Sequence, residues 1–306
     1  MRKVLLAGAL GLIGLVVPAA PMLTSTAAAA ASASSHAAAV AHGPTAPGLY
    51  HVPIIGKVVV PGLGSPLGRR GLRHATQVQS SNWSGYADTN DTYNSVASTW
   101  TEPTVDCSSG GVSGGGLLGG LGGGPSTASS FWVGLDGYSS SSVEQIGTDS
   151  DCNSGTPSYY AWYEMYPNPS ITLPGQYAVS PGDVMTGWIA SNPGGTSFYM
   201  ALKDATKGWY FSTTQSGSGF ARSSAEVIAE APSACAVLFC SEVGLANFGK
   251  VNFSAANLID NGGRQGTLAA FNANEITMVS QTGTTMATPS NLSPDGSAFS
   301  VTWNHS

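Results

Sequence analysis

Along the body of the chain, apolar positions gather in short runs broken by polar and turn residues, without the spacing of three and four that marks a long amphipathic helix. Runs rich in β-branched and aromatic residues occupy 93–100, 131–135, 159–165, 184–189, 198–202, 209–213, 251–253, 275–279 and 299–303. Glycine, proline, asparagine, serine and aspartate separate them, as expected of strands and their turns. Lys203-Asp-Ala-Thr-Lys-Gly208 falls between two such runs and predicts a hairpin connection. No amphipathic helix longer than two turns is predicted. The pattern predicts an all-β body, an antiparallel sandwich or barrel.

The N-terminal quarter is different. Arg2-Lys3 precedes a mostly apolar run over 4–17 that ends at Pro18, and an alanine-rich stretch over 27–33 offers several small-residue cleavage sites. This is the charged and apolar order of an export signal, too short to span a bilayer comfortably. Residues 1–34 are therefore expected to be a signal peptide, residues 35–75 a propeptide or linker, and residues 76–306 the folded domain. The product is expected to be secreted and extracellular, with no membrane association once the signal is removed.

Charge sharpens that division. Six of the eleven basic residues precede Thr76 and five follow it, while all seventeen acidic residues follow it. The body thus carries −12 against −6 for the whole chain. A basic segment ahead of an acidic body suits electrostatic masking at neutral pH with release when carboxylates protonate. A plain linker left by secretion fits the same composition. So few basic residues give the body no surface for phosphates, and nucleic-acid binding is not expected. Four of five histidines (His36, His42, His51, His74) precede Thr76, leaving only His305 near the C-terminus. The body therefore lacks the imidazole of a Ser-His-Asp or Cys-His site, and a histidine-based zinc site is excluded likewise.

Between 110 and 124, ten of fifteen residues are glycine, which predicts a low-complexity loop. Without a Lys-Ser/Thr ending it is no phosphate cradle. The four cysteines, Cys107, Cys152, Cys235 and Cys240, allow three pairings in an oxidising compartment. Cys107–Cys152 with Cys235–Cys240 is preferred.

The carboxylates are few enough to inspect singly. Glu226 and Glu230, in Ala225-Glu-Val-Ile-Ala-Glu230, point to one face of a strand together with Ile228. Desolvation and like charge should raise at least one of their pKa values, as a general acid/base working in acid requires. A solvated strand face is the plainer alternative. Glu164 shares a strand face with Trp162, whereas Glu144 and Gln145 must face opposite ways. Asp136 and Asp149 are further candidates, Asp183 reads as a turn residue, and Trp83, Trp132 and Trp162 are candidates for a cleft floor.

Six segments, in order, resemble those of the glutamic peptidases, the eqolisin family. They are Ser81-Asn-Trp-Ser-Gly-Tyr86, Phe131-Trp-Val-Gly-Leu-Asp-Gly137, Val143-Glu-Gln-Ile-Gly147, Ala161-Trp-Tyr-Glu-Met-Tyr-Pro167, Val179-Ser-Pro-Gly-Asp183 and Ala225-Glu-Val-Ile-Ala-Glu230. The resemblance implies a β-sandwich of two curved antiparallel sheets, of jelly-roll type, and a secreted, acid-active endopeptidase. It implies polypeptide substrates, no metal and no cofactor; a monomer is expected. Carried over by position, Gln145 and Glu230 become the catalytic pair. Trp132, Asp136, Asp149, Trp162, Glu164 and Glu226 become substrate-binding or supporting residues. The chain departs from the family pattern at Ala231-Pro232, at Met165 and in the glycine-rich run.

The reading set against this is a carbohydrate-active jelly roll, either a two-carboxylate glycosidase or a lectin-like module, since such folds also line a concave sheet with Trp and Glu. A secreted β-domain with no site is the third. Gln145 discriminates, because a glycosidase needs a second carboxylate where the amide stands.

Overall fold

The computed structural model describes residues 49–60, 76–108, 127–236 and 239–306. The expected signal segment and the glycine-rich run lie outside the described residues. The principal strands are β1 (Trp83–Asp88), β2 (Tyr93–Thr101), β3 (Ser130–Asp136), β4 (Val143–Asn153), β5 (Thr156–Tyr166), β6 (Val184–Ser191) and β7 (Ser197–Asp204). They continue with β8 (Trp209–Ser216), β9 (Ala225–Glu230), β10 (Lys250–Asp260), β11 (Asn274–Val279), β12 (Thr285–Pro289) and β13 (Phe299–Trp303). A four-residue helix, Leu268–Phe271, is the only α-helix among the described residues.

Antiparallel pairing orders one layer β5-β4-β3-β9-β1-β11 and the other β13-β10-β2-β6-β7-β8, with β12 linking β11 to β13. Strands β2, β6 and β7 pack on β3, β4 and β9 without sharing hydrogen bonds with them, so the layers stack face to face. The core between them combines Phe131, Val133, Leu135, Ile146 and Val227 with Val96, Trp100, Met185, Ile189 and Leu202. This is the all-β sandwich of antiparallel sheets expected from the sequence.

All nine apolar runs lie within strands, and β7 and β8 form the expected hairpin through residues 205–208. Strand β10 is much longer than its apolar run at 251–253. Its register shifts between Ser254 and Asn257, where Ala255 takes φ +52°, and that bulge breaks the alternation a sequence pattern depends on. Strand β4 carries Glu144, Gln145, Thr148, Asp149 and Asp151, all buried. A strand this polar is invisible to an apolar-run criterion.

Cys107 and Cys152 form a disulfide, as preferred from the sequence. Cys235 is also disulfide-bonded, and Cys240 is its register partner in the hairpin Ser233–Ala236/Phe239–Glu242. The side chain of Cys240 lies outside the described residues, as does that half of the preferred pairing.

Candidate active site

Four neighbouring strands carry the candidate residues on the face turned away from the core. The register aligns Glu226, Gly134, Gln145 and Glu164 in one row across β9, β3, β4 and β5. Two residues along lie Ile228, Trp132, Gly147 and Trp162, and two further Glu230, Ser130, Asp149 and Tyr160. Since alternate residues share a face, this grid is a single surface. The glycines let the central indole lie flat. A Cβ on Gly134 would meet Trp132 Cζ3 at 2.6 Å, and one on Gly147 would meet Trp132 Cβ at 2.6 Å.

Residues 49–55, in the leader segment expected to be a propeptide or linker, lie across this surface. Leu49–Tyr50 pairs antiparallel with Ala234 and Ser233, adding a strand to the hairpin edge. The Gln145 side-chain Nε2 donates to the His51 carbonyl oxygen, and also to Glu164 Oε2 at 3.0 Å. The Val52 N–H donates to Glu230 Oε1 at 3.0 Å, and Trp132 Nε1 donates to Glu230 Oε2 at 2.8 Å. One peptide bond thus has its carbonyl on an amide donor and its N–H on a carboxylate. Gln145 Oε1 is buried and receives no hydrogen bond from the protein.

The His51 ring is fully buried and stacks on Trp162 at 3.4 Å between centroids, 3° from parallel. Its Nδ1 lies 3.1 Å from Glu164 Oε2 and its Nε2 3.3 Å from Asp149 Oδ1. Both nitrogens face carboxylates, so the ring is held as imidazolium. Burial alone would lower its pKa, but Asp149 first and then Glu164 outweigh it and raise it to about 10. Trp162 Nε1 donates to Asp149 Oδ1 at 2.7 Å and fixes that carboxylate. The Tyr160 hydroxyl lies 2.8 Å from Asp149 Oδ2 and 2.9 Å from Asp151 Oδ2. A phenol has one proton to give. Asp151, pushed well above the usual range by burial and by Asp149, supplies the second.

Burial likewise raises Glu230 well above its ordinary value, with Glu164 and Asp149 adding to it, while His51 and the Trp132 N–H oppose. Glu164 is raised by burial and drawn back by its bonds to His51.

Of the residues singled out in the sequence, Gln145, Glu230, Trp132, Asp149, Trp162 and Glu164 surround the His51–Val52 peptide. Asp136 and Glu226 do not touch it. The Asp136 carboxylate accepts from Arg222 N at 2.7 Å and from Ser223 N at 2.8 Å and Oγ at 2.9 Å, and its backbone takes φ +71°. Glu226 is fully buried beside Asp136, Glu144 and Asp88, which with burial push it well above its ordinary pKa. Sequence reasoning passed over His51, Asn82, Asp151 and Tyr160 as site residues. Asn82 accepts from Ile55 N at 2.7 Å and donates to the Val52 carbonyl at 3.3 Å, where Trp83 Nε1 also donates at 3.0 Å. For Asn82 the signal was its place inside the first matching motif. For His51 it was a short apolar run in an otherwise low-complexity leader.

A family model described as the peptidase A4 family matches residues 81–303. Aspergillopepsin-2 of Aspergillus niger is 31% identical over 199 residues, spanning 61% of this chain and 67% of the relative. Among solved structures, scytalido-glutamic peptidase with a transition state analog inhibitor superposes with a TM-score of 0.61 at 25% identity, covering 73% of this chain and 98% of that one. Aspergilloglutamic peptidase from Aspergillus niger superposes with a TM-score of 0.50 at 26% identity, covering 58% of this chain and 99% of that one.

Proposed function

The chain belongs to the peptidase A4 family and is a glutamic endopeptidase acting on polypeptides, and on that premise we propose that Gln145 and Glu230 are its catalytic pair and that it works in acid, outside the cell. The observation that carries the assignment of the pair is the His51–Val52 peptide, which lies across both side chains in the orientation of a substrate bond.

In this reading the Glu230 carboxylate takes a proton from water, and the water oxygen attacks the carbonyl carbon. Gln145 Nε2 donates to the carbonyl oxygen as it becomes an oxyanion, a role worth about 3 kcal/mol of transition-state stabilisation. The unpaired Oε1 of Gln145 is the acceptor available to orient the attacking water. The raised pKa of Glu230 favours that proton uptake, and Glu230 then returns the proton to the departing nitrogen. Trp132 holds Glu230 by one oxygen, leaving the other for this exchange. Asp149, Trp162 and Glu164 form a pocket for the side chain preceding the bond. Glutamine does not titrate, so its donor and acceptor roles persist in acid.

Export is supported by the leader composition and by the disulfide at Cys107–Cys152, which belongs to an oxidising compartment. The seat of residues 49–55 on the pair supports a masked precursor, through specific contacts rather than through the diffuse charge attraction that composition suggests.

Digestion of a denatured polypeptide across pH 2 to 7 tests the reading. Cleavage confined to acid, indifferent to chelators and to serine- or cysteine-directed reagents, and lost in Glu230→Gln is the expected result. Chelator-sensitive cleavage, or cleavage retained by Glu230→Gln, would overturn it.

A further inference from the structure

We propose that the chain cuts itself between His51 and Val52, and that the pocket of Trp162, Asp149 and Glu164 accepts the imidazolium on the amino side of that bond. The proposal rests on the catalytic pair assigned above.

Three observations converge on this bond. The leader is held by its backbone on both sides of it, as a substrate strand would be. Before the bond, Leu49 and Tyr50 pair with the edge strand at Ala234 and Ser233. After it, the Val52 carbonyl accepts from Trp83 and Asn82, Ile54 N donates to the Gly137 carbonyl at 3.2 Å, and Ile55 N donates to Asn82. A linker that merely filled the cleft would be free to lie in either direction and any register. This one brings a single bond onto both reactive groups, with the carbonyl on the amide and the nitrogen on the carboxylate.

The pocket also suits its occupant. Burying a cation is costly unless it is paired and hydrogen-bonded. Here the buried ring has a carboxylate at each nitrogen and an indole parallel to its face. The two acceptors stand at opposite edges of one flat ring, a spacing that matches imidazolium and gives an aliphatic side chain nothing to bond.

The step balances with water alone. The water oxygen bonds to the His51 carbonyl carbon and a water proton passes to Glu230, while Gln145 holds the oxyanion. The carbon–nitrogen bond then breaks as Glu230 gives its proton to the Val52 nitrogen. The water's hydroxyl ends on the new His51 carboxyl and its other proton on the new Val52 amine.

The cut falls inside the leader, not at its composition boundary near Thr76. It leaves the Val52 side attached, because Val58–Val60 pairs with Gln77–Ser80. The first new N-terminus is therefore Val52.

The test is to purify the full chain at neutral pH, acidify it, and follow intact mass and N-terminal sequence over time. Digestion of an added denatured polypeptide is measured in the same samples. The expected result is a new terminus at Val52, formed at a rate unchanged by tenfold dilution and absent from Glu230→Gln. His51→Leu should slow that cut at least tenfold. Dyad-dependent digestion of the added polypeptide, with residues 51 and 52 still joined or with the first cut elsewhere, would refute self-cleavage and leave the catalytic pair standing. Cutting at 51–52 that His51→Leu does not slow would refute the imidazolium pocket. Failure to digest either substrate would overturn the pair, and this inference with it.

Discussion

Glu226 and Glu230 sit four residues apart on β9, on one strand face, both fully buried and both raised well above the ordinary carboxylate range by burial. Their surroundings part them. Glu230 receives an indole N–H on one oxygen and a peptide N–H on the other, with an amide side chain on the same peptide. Beside Glu226 stand the Ser224 side chain, which opposes the rise, and Asp136, Glu144 and Asp88, carboxyls like itself. Burial raises the proton affinity of both groups. Only Glu230 has donors and a peptide beside it between which a proton can be taken up and handed on. A raised pKa marks an unusual carboxylate; its partners decide whether it is a reagent.

The same contrast recurs on β4 between Glu144 and Gln145, adjacent residues on opposite faces. Exchanging each in turn gives the largest expected effect. Gln145→Ala should lower kcat/KM on a peptide by 10²-fold or more, through the lost oxyanion donor. Glu144→Gln should stay within about threefold. Steady-state rates on one peptide check both.

Next in size is the disulfide, which joins residues 45 apart. Replacing Cys107 and Cys152 with alanine should cost about 2–4 kcal/mol, read as a lower midpoint in urea, while the activity of the remaining folded fraction is kept.

The carboxylates as a set predict an inverted pH dependence of stability. Glu102 is raised from 4.5 to about 8, first by burial, against hydrogen bonds from Ser150, Thr148 and Trp100. A group whose folded pKa is raised stabilises fully below its unfolded value and loses that contribution as pH climbs through the folded one. Glu102 therefore gives up its share between pH 4.5 and about 8, and His51 gives up its own between 6.5 and about 10. The melting temperature of the inactive Glu230→Gln chain should fall by on the order of 10 °C from pH 4.5 to 8. Adding Glu102→Gln should flatten much of that slope. A melting temperature that rises over this range would contradict the account.

The smallest effect is expected at Glu226 itself. Glu226→Gln replaces a buried carboxyl of raised pKa by a neutral group of the same shape. Its melting temperature in acid should move by no more than about 2 °C.

Much of this architecture was legible in the sequence, and the exceptions have physical causes. The apolar runs in β2, β6, β7 and β8 are visible because each strand turns apolar side chains toward the core. The catalytic candidates on β4 and β9 were found by motif order and side-chain chemistry, since strands whose outer face is a lined cleft carry no apolar signature. Asp136 matched a motif, yet its carboxylate holds the Arg222–Ser223 turn, a long-range bond no local pattern reports. His51 was hidden most completely. Its partners lie 98 and 113 residues away, and strand addition to a free edge depends on that edge rather than on the added sequence. Counting the histidines left no imidazole in the interior of the body for a catalytic role. It did not foresee that the leader would place one in the pocket as an occupant.

The central claim is that Glu230, not its twin on the same strand, acts with Gln145. Measuring kcat/KM on one peptide in acid for Glu230→Gln and Glu226→Gln, with the melting temperature of each, tests it most directly. The account predicts Glu230→Gln at least 10³-fold down with its melting temperature kept, and Glu226→Gln within about threefold of the parent. A folded Glu230→Gln that still cleaves, or a folded Glu226→Gln equally dead, would contradict it.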